Sequence, residues 1–86
     1  MSGSTFHHDH TAVLVRNANK IGEYFGAFPD REDQINGIAN HIRKFWEPRM
    51  RRQLYEHVDG APSSIEMIEI VRETVTARRA ELEPKA

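Results

Sequence analysis

Residues 42–52 contain the groups in this chain that are best suited to molecular recognition. They place Phe45 and Trp46 beside Pro48, among five basic side chains and a single acidic one. Tryptophan and arginine are the residue types that most often dominate the energy of protein interfaces. Arginine is also better suited than lysine to bidentate and stacking contacts. The segment therefore predicts a surface that binds a partner, and it has none of the features of a reaction centre.

Three histidines near the start of the chain are candidates for metal chemistry. His7, His8 and His10 are clustered imidazoles, and imidazole is the usual ligand of transition metals. A chain terminus without fixed geometry rarely builds a metal site, however. We expect residues 1–8 to be a disordered polar segment instead.

Of the two further histidines, only His57 has a spacing that resembles a functional pair. His57 stands two residues before Asp59, but no serine or cysteine nucleophile at a predicted elbow accompanies the pair, as nucleophilic catalysis would require. We expect His57 to have a structural role in the turn. For His41 we expect a neutral ring that packs at the edge of a helix bundle.

Composition limits the classes of protein to which the chain can belong. Its 86 residues, 38% apolar and 29% charged, fit one ordinary globular domain. No apolar run approaches the roughly 18 residues of a membrane span, and no secretory signal pattern is seen. The absence of cysteine excludes disulfides and iron–sulfur ligation by this chain. A cytoplasmic location fits best. The net charge of −1 argues against a domain that binds nucleic acid over its whole surface, since such domains normally carry a strong basic excess.

Apolar residues that recur every three or four positions predict an all-α bundle of about four helices. The first helix starts at Asp9 or Thr11 and ends at Gly26, the second is capped by Asp30, and the third starts at Pro48 after a break at Glu47. The apolar stripes of these three helices are Leu14, Ala18, Ile21 and Phe25, then Ile35, Ile38, Ile42 and Phe45, then Met50, Leu54 and Val58. The predicted helical domain covers residues 9–82, and a frayed tail covers residues 83–86.

The last helix is predicted to begin at Ser63 or Ser64, because Ser63 and Glu66 have the spacing of a capping box. Its buried face is expected to hold Ile68, Val71, Val75 and Leu82, flanked by Met67. Ile70 should point about 160° away from Ile68 and face solvent. Gly22 in the first helix predicts a close approach to another helix.

Phe45 and Trp46 are predicted to lie on different faces of the second helix. Phe45 continues the stripe of Ile38 and Ile42, so we expect it in the core. Trp46 lies about 100° round the helix from Phe45, at the border of that stripe. The Trp46 indole could either cap the core or contact a partner, and the sequence leaves both roles open.

Two blocks of sequence resemble a known family. The blocks are Leu-Val-Arg-Asn-Ala-Asn-Lys-Ile at residues 14–21 and Ile-Ala-Asn-His-Ile-Arg-Lys-Phe-Trp-Glu-Pro-Arg-Met-Arg at residues 38–51, with Tyr24 and Phe25 between them. In order and spacing, residues 13–58 are similar to the small delta subunit of NAD-dependent, molybdenum-containing formate dehydrogenases. Asn17, where the family tends to have methionine, and Glu47, where it often has aspartate, depart from the pattern.

The resemblance implies an accessory, non-catalytic subunit of an enzyme that oxidises formate to carbon dioxide and reduces NAD. It implies that the molybdenum cofactor and most iron–sulfur clusters reside in the large alpha subunit, with flavin and further clusters on other subunits and no cofactor on this chain. The implied role is assembly, stability or cofactor maturation by docking on the alpha subunit. The motif positions expected to bind that partner are Arg16, His41, Trp46, Pro48, Arg49, Met50 and Arg51.

Two alternatives remain open at the level of sequence. One is a nucleic-acid binder that uses the basic cluster of residues 43–52 with Trp46 as a stacking platform. The other is a homodimeric helical adaptor that pairs through Ile70 and Met67 as an exposed apolar patch.

Overall fold

The computed structural model describes residues 10–85 and folds them into helices; the N-terminal segment predicted for residues 1–8 lies outside the described residues. The helices are α1 (His10–Gly26), α2 (Arg31–Phe45), α3 (Pro48–Val58), α4 (Glu69–Ala77) and α5 (Arg79–Leu82). No strand occurs between residues 10 and 85. The predicted all-α bundle is therefore confirmed, with a fifth helix of a single turn.

Helices α2 and α3 begin where local chemistry predicts. Asp30 caps α2, since its Oδ1 accepts a hydrogen bond from the Glu32 amide at 3.0 Å. Glu47 has extended backbone geometry before Pro48, the first residue of α3. The turn between α1 and α2 is closed by Gln34, whose Nε2 donates to the Phe28 carbonyl at 2.6 Å.

The predicted start of the last helix is wrong. Ser63 forms a local turn, in which its Oγ accepts from the Ile65 amide at 3.1 Å and donates to the Ile65 carbonyl at 2.9 Å. The backbone at residues 66–68 is held instead by α1: Asn19 Nδ2 donates to the Glu66 carbonyl at 2.8 Å, and Asn19 Oδ1 accepts from the Ile68 amide at 3.0 Å. We call these two hydrogen bonds the Asn19 clamp. Helix α4 begins only after it.

The late start of α4 changes which apolar residues are buried. Met67 is buried and Ile70 is partly buried against the core, because Ile68 precedes the helix and cannot set its periodicity. The expectation that Ile70 faces solvent was wrong. The exposed patch required by the homodimeric adaptor is therefore absent from the described residues.

The core lies where α1, α2, α3 and α4 meet, and Leu82 of α5 closes it. The close approach predicted at Gly22 is confirmed, because a Cβ there would overlap a methyl group of Val71. Gly26 ends α1 as predicted. Gly60 has φ +129°, which suits glycine, in the turn that follows α3. No helix within residues 10–85 is long and apolar enough to cross a bilayer.

Candidate docking surface

The expectation that Phe45 lies in the core was wrong, and of the two alternatives left open for Trp46 the structure shows burial against the core. Trp46 is buried with 7% of its surface exposed, whereas Phe45 is 69% exposed. Ala39, which the pattern of isoleucines leaves out, is buried together with Ile38 and Ile42, so the buried arc of α2 extends to the side on which Trp46 lies. At about 100° per residue, Trp46 lies about 20° from Ala39 round the helix, and Phe45 lies about 120° from it.

Phe45 is one end of a continuous row of rings, which we call the aromatic surface: Phe45, His41, Phe25, Tyr24 and Phe28. The centroids of neighbouring rings are 4.8 Å apart for His41 and Phe45, 6.5 Å for Phe25 and His41, and 4.9 Å for Tyr24 and Phe25. Phe28 completes the row at 5.4 Å from Phe25. Such spacings are typical of favourable edge and tilted packing, so the rings hold one another in place.

Several of these rings remain open to solvent. Tyr24 is 66% exposed and Phe28 37% exposed. Together with Phe45, they are three of the four large apolar residues that are exposed within residues 10–85; Val13 on α1 is the fourth. Clustered exposure of this kind is a mark of an interaction site.

A glycine in α2 allows the aromatic surface to form. The Phe25 ring lies directly on α2 at Gly37, where a Cβ would overlap it. Sequence reasoning missed Gly37 as well as the clustering of Tyr24, Phe25 and Phe28. The usable signals were the spacing of four between His41 and Phe45, which puts two rings on one face, and a glycine inside a helix that needs a packing reason.

A cavity of about 280 Å³ opens on the aromatic surface between α1 and α2, and we call it the aromatic cleft. It is lined by Lys20, Ile21, Tyr24, Phe25 and His41. A second hollow of about 280 Å³ lies on α3 and is lined by Arg49, Arg52, Gln53 and Glu56.

The residues predicted to bind a partner do not lie on one surface. His41 joins the aromatic surface, Pro48 and Arg49 are exposed at the α2–α3 corner (residues 45–49), and Arg16 is exposed on α1. Met50 packs partly against the core. Arg51 turns inward, where its Nη1 donates to the Leu82 carbonyl at 3.1 Å. The burial of Trp46 removes the stacking platform that nucleic-acid binding would need.

The His57–Asp59 pair does not form in the structure. His57 Nδ1 lies 2.7 Å from the Ala61 carbonyl oxygen and closes the turn after α3. The Asp59 carboxylate instead accepts two hydrogen bonds from the Arg79 guanidinium, at 2.9 and 2.7 Å. Arg79 also bonds Glu83 at 2.6 Å, and it holds the pKa of both carboxyl groups below the ordinary values. No group of three potential metal ligands comes together within the described part of the chain.

The observations define a class of protein: a small all-helical bundle with an exposed aromatic surface next to an arginine-bearing corner. The family model of the NADH-dependent formate dehydrogenase delta subunit FdsD matches residues 13–84. The chain belongs to this family, as the resemblance predicted. No curated protein and no solved structure was found to be similar to it.

Proposed function

We propose that this chain is a non-catalytic accessory subunit of an NAD-dependent formate dehydrogenase that docks through its α2–α3 corner on the large, molybdenum-containing subunit. Its role is in assembly, stability or cofactor maturation of the complex, and it carries no cofactor itself. Family membership supports the place in a formate dehydrogenase. The docking role is an inference from the surface.

The observation that carries the proposal is the exposure of Phe45. A phenylalanine that is 69% exposed leaves a large apolar side chain in water, which costs about 1.5–3 kcal/mol relative to full burial. Arg49 and Arg52 are exposed nearby in sequence, and neither has an ion-pair partner among residues 10–85. An apolar group flanked by available guanidinium groups matches the composition of interface hot spots.

Trp46 supports the corner from within. Its amide donates to the Ile42 carbonyl at 3.0 Å as α2 ends, and its indole is buried. Direct contact of Trp46 with a partner stays a prediction, but replacing Trp46 would open the core at a cost of about 3–5 kcal/mol. A test of docking therefore has to leave Trp46 in place.

Replacement of Phe45 and Arg49 together by alanine should reduce recovery of the large subunit when the complex is co-expressed and purified through this chain. We expect a loss of at least about tenfold, since hot-spot truncations cost about 2 kcal/mol or more. The matched control replaces two exposed residues elsewhere, Thr76 and Lys85, by alanine. Circular dichroism of both variants checks the fold. Recovery of the large subunit at the wild-type level by the Phe45→Ala, Arg49→Ala variant would show that the corner does not dock.

A further inference from the structure

One wall of the aromatic cleft is held in place by packing. The Phe25 ring forms this wall and packs on the α2 backbone at Gly37. On its other sides the ring contacts Tyr24, Phe28 and His41. Residues held by packing lose little conformational entropy when a partner binds. The Phe25 side of the cleft is thus preorganised, whereas Lys20 at its rim is exposed.

The size of the cleft limits what it can hold. At about 280 Å³ it lies at or below the lower end of the roughly 300–1,000 Å³ range of small-molecule and cofactor sites. A single bulky side chain projecting from another polypeptide suits this volume. Pockets that accept one buried aromatic or aliphatic side chain are the usual centres of protein interfaces.

The charge of the residues that line the cleft indicates which groups should flank the inserted side chain. Lys20 supplies an ammonium group and His41 an imidazole, and none of the described residues that line the cleft carries a carboxylate. Lys20 has no ion-pair partner within the described range. A carboxylate next to an inserted apolar group would be attracted to this rim, whereas a cation would be repelled.

We propose that the aromatic cleft receives a bulky apolar side chain from another subunit of the complex, in a segment that carries an aspartate or glutamate within one helical turn of that side chain. The proposal rests on the proposed function, because family membership is what places other subunits beside this chain. It adds a second contact point to that of the α2–α3 corner, farther along the aromatic surface, where His41, Phe25 and Tyr24 line the cleft.

Photo-crosslinking in the co-expressed complex tests the inserted group directly. With p-benzoylphenylalanine in place of Tyr24, we expect a crosslink to another subunit, within a peptide that has a large apolar residue and an acidic residue no more than about four positions away. The same photo-reactive residue in place of Thr76, exposed on α4, is the control and should not give that crosslink. A crosslink confined to this chain, within one copy or between two copies, would overturn the inference, as would a crosslink to a peptide without an acidic residue.

Charge reversal tests the rim separately. Lys20→Glu should lower recovery of the other subunits by at least about tenfold, since like charges brought together at an interface cost several kcal/mol. Lys85→Glu, an equal change on an exposed lysine elsewhere, should leave recovery unchanged. If the Lys20→Glu variant recovers the complex as well as wild type does, the acidic neighbour is ruled out and the proposed function stands. If the wild-type chain recovers no formate dehydrogenase subunit, the proposed function fails, and this inference fails with it.

Discussion

Tyr55 shows how a single polar residue is accommodated in the core. Its side chain is almost fully buried, its hydroxyl donates to the Val75 carbonyl at 2.7 Å, and the Arg79 guanidinium lies 4.8 Å from the ring centroid. Burial raises the pKa of the Tyr55 phenol to about 12. The hydrogen bond ties α3 to α4, and it requires the neutral phenol.

The raised pKa predicts that Tyr55 makes the protein sensitive to alkali. Its contribution to stability is fully present below pH about 10, where the unfolded tyrosine ionises, and is lost as pH rises toward about 12. Tyr55→Phe should cost about 1–3 kcal/mol at neutral pH, because the Val75 carbonyl loses its partner. The free-energy gap between wild type and this variant should narrow above pH about 10.

Urea unfolding at several pH values measures that gap. The matched control is Tyr24→Phe, which changes the other tyrosine, exposed on α1; this variant should follow wild type as the pH rises. A gap between wild type and Tyr55→Phe that stays constant from neutral to alkaline pH would contradict the prediction.

At the residue scale, the sequence predicted Phe45 in the core, which was wrong, and left Trp46 open between the core and a partner. Phe45 and Trp46 are adjacent, so a small rotation of the buried arc decides which one faces the core. Ala39 marks the side of the buried arc on which Trp46 lies, and a residue this small carries little weight in a pattern of large apolar groups. The exposed row from Phe45 to Phe28 depends on contacts between α1 and α2, which no local pattern contains.

At the element scale, Asn19 determines where α4 begins. Its amide group satisfies one carbonyl and one amide of the extended backbone at residues 66–68. These partners are 47 and 49 residues away in sequence. The spacing of Ser63 and Glu66 is a valid local signal for a helix start. The two long-range hydrogen bonds from Asn19 nevertheless hold residues 66–68 in an extended conformation, so the helix begins later.

Asn19→Ala should therefore destabilise the protein and loosen the start of α4. Loss of both bonds should lower the free energy of unfolding by about 1–3 kcal/mol. The control is Asn17→Ala on the exposed face of the same helix, because it makes the same change in helix propensity without removing the clamp. Amide hydrogen exchange at Ile68 should accelerate in the Asn19 variant only. Equal unfolding free energies for the two variants would rule out the clamp.

At the scale of the whole molecule, Arg79 fastens the last helical turn to the rest of the bundle. It bridges Asp59 after α3 and Glu83 after α5 and lies over the Tyr55 ring. Leu82, fully buried beside it, fills the core. The Arg51 bond to the Leu82 carbonyl adds a second attachment from α3.

The Arg79 bridge should fail in acid. Because the pKa values of Asp59 and Glu83 are lowered in the folded protein, their contribution is present above the ordinary carboxyl pKa of about 4 and is lost as pH falls below it. Arg79→Gln should lower the thermal midpoint most near neutral pH, with a smaller difference from wild type below pH about 4 and at high salt. Arg52→Gln, an exposed arginine without such a bridge, is the control. If the thermal midpoints of wild type and Arg79→Gln decrease in parallel as the pH falls, the bridge does not contribute to stability in the way predicted.

The overall bundle could be predicted from sequence because its first three helices have regular apolar spacing, α2 has a cap at Asp30 and α3 starts at a proline. The end of the chain could not, because Asn19, Arg51 and Arg79 act on it across the fold. Of the candidate site, Pro48 and Arg49 are exposed at the α2–α3 corner, and their contact with a partner stays a prediction. The aromatic cleft could not be predicted, because it exists only after α1 and α2 have packed.

The enclosed position of Trp46 has a practical consequence, since it is the chain's single tryptophan. Intrinsic fluorescence excited at the indole comes from one site, sheltered among the apolar side chains at the end of α2. A red shift of that emission reports entry of water into the bundle. The neighbouring phenylalanine, which faces outward, contributes almost nothing to the same spectrum.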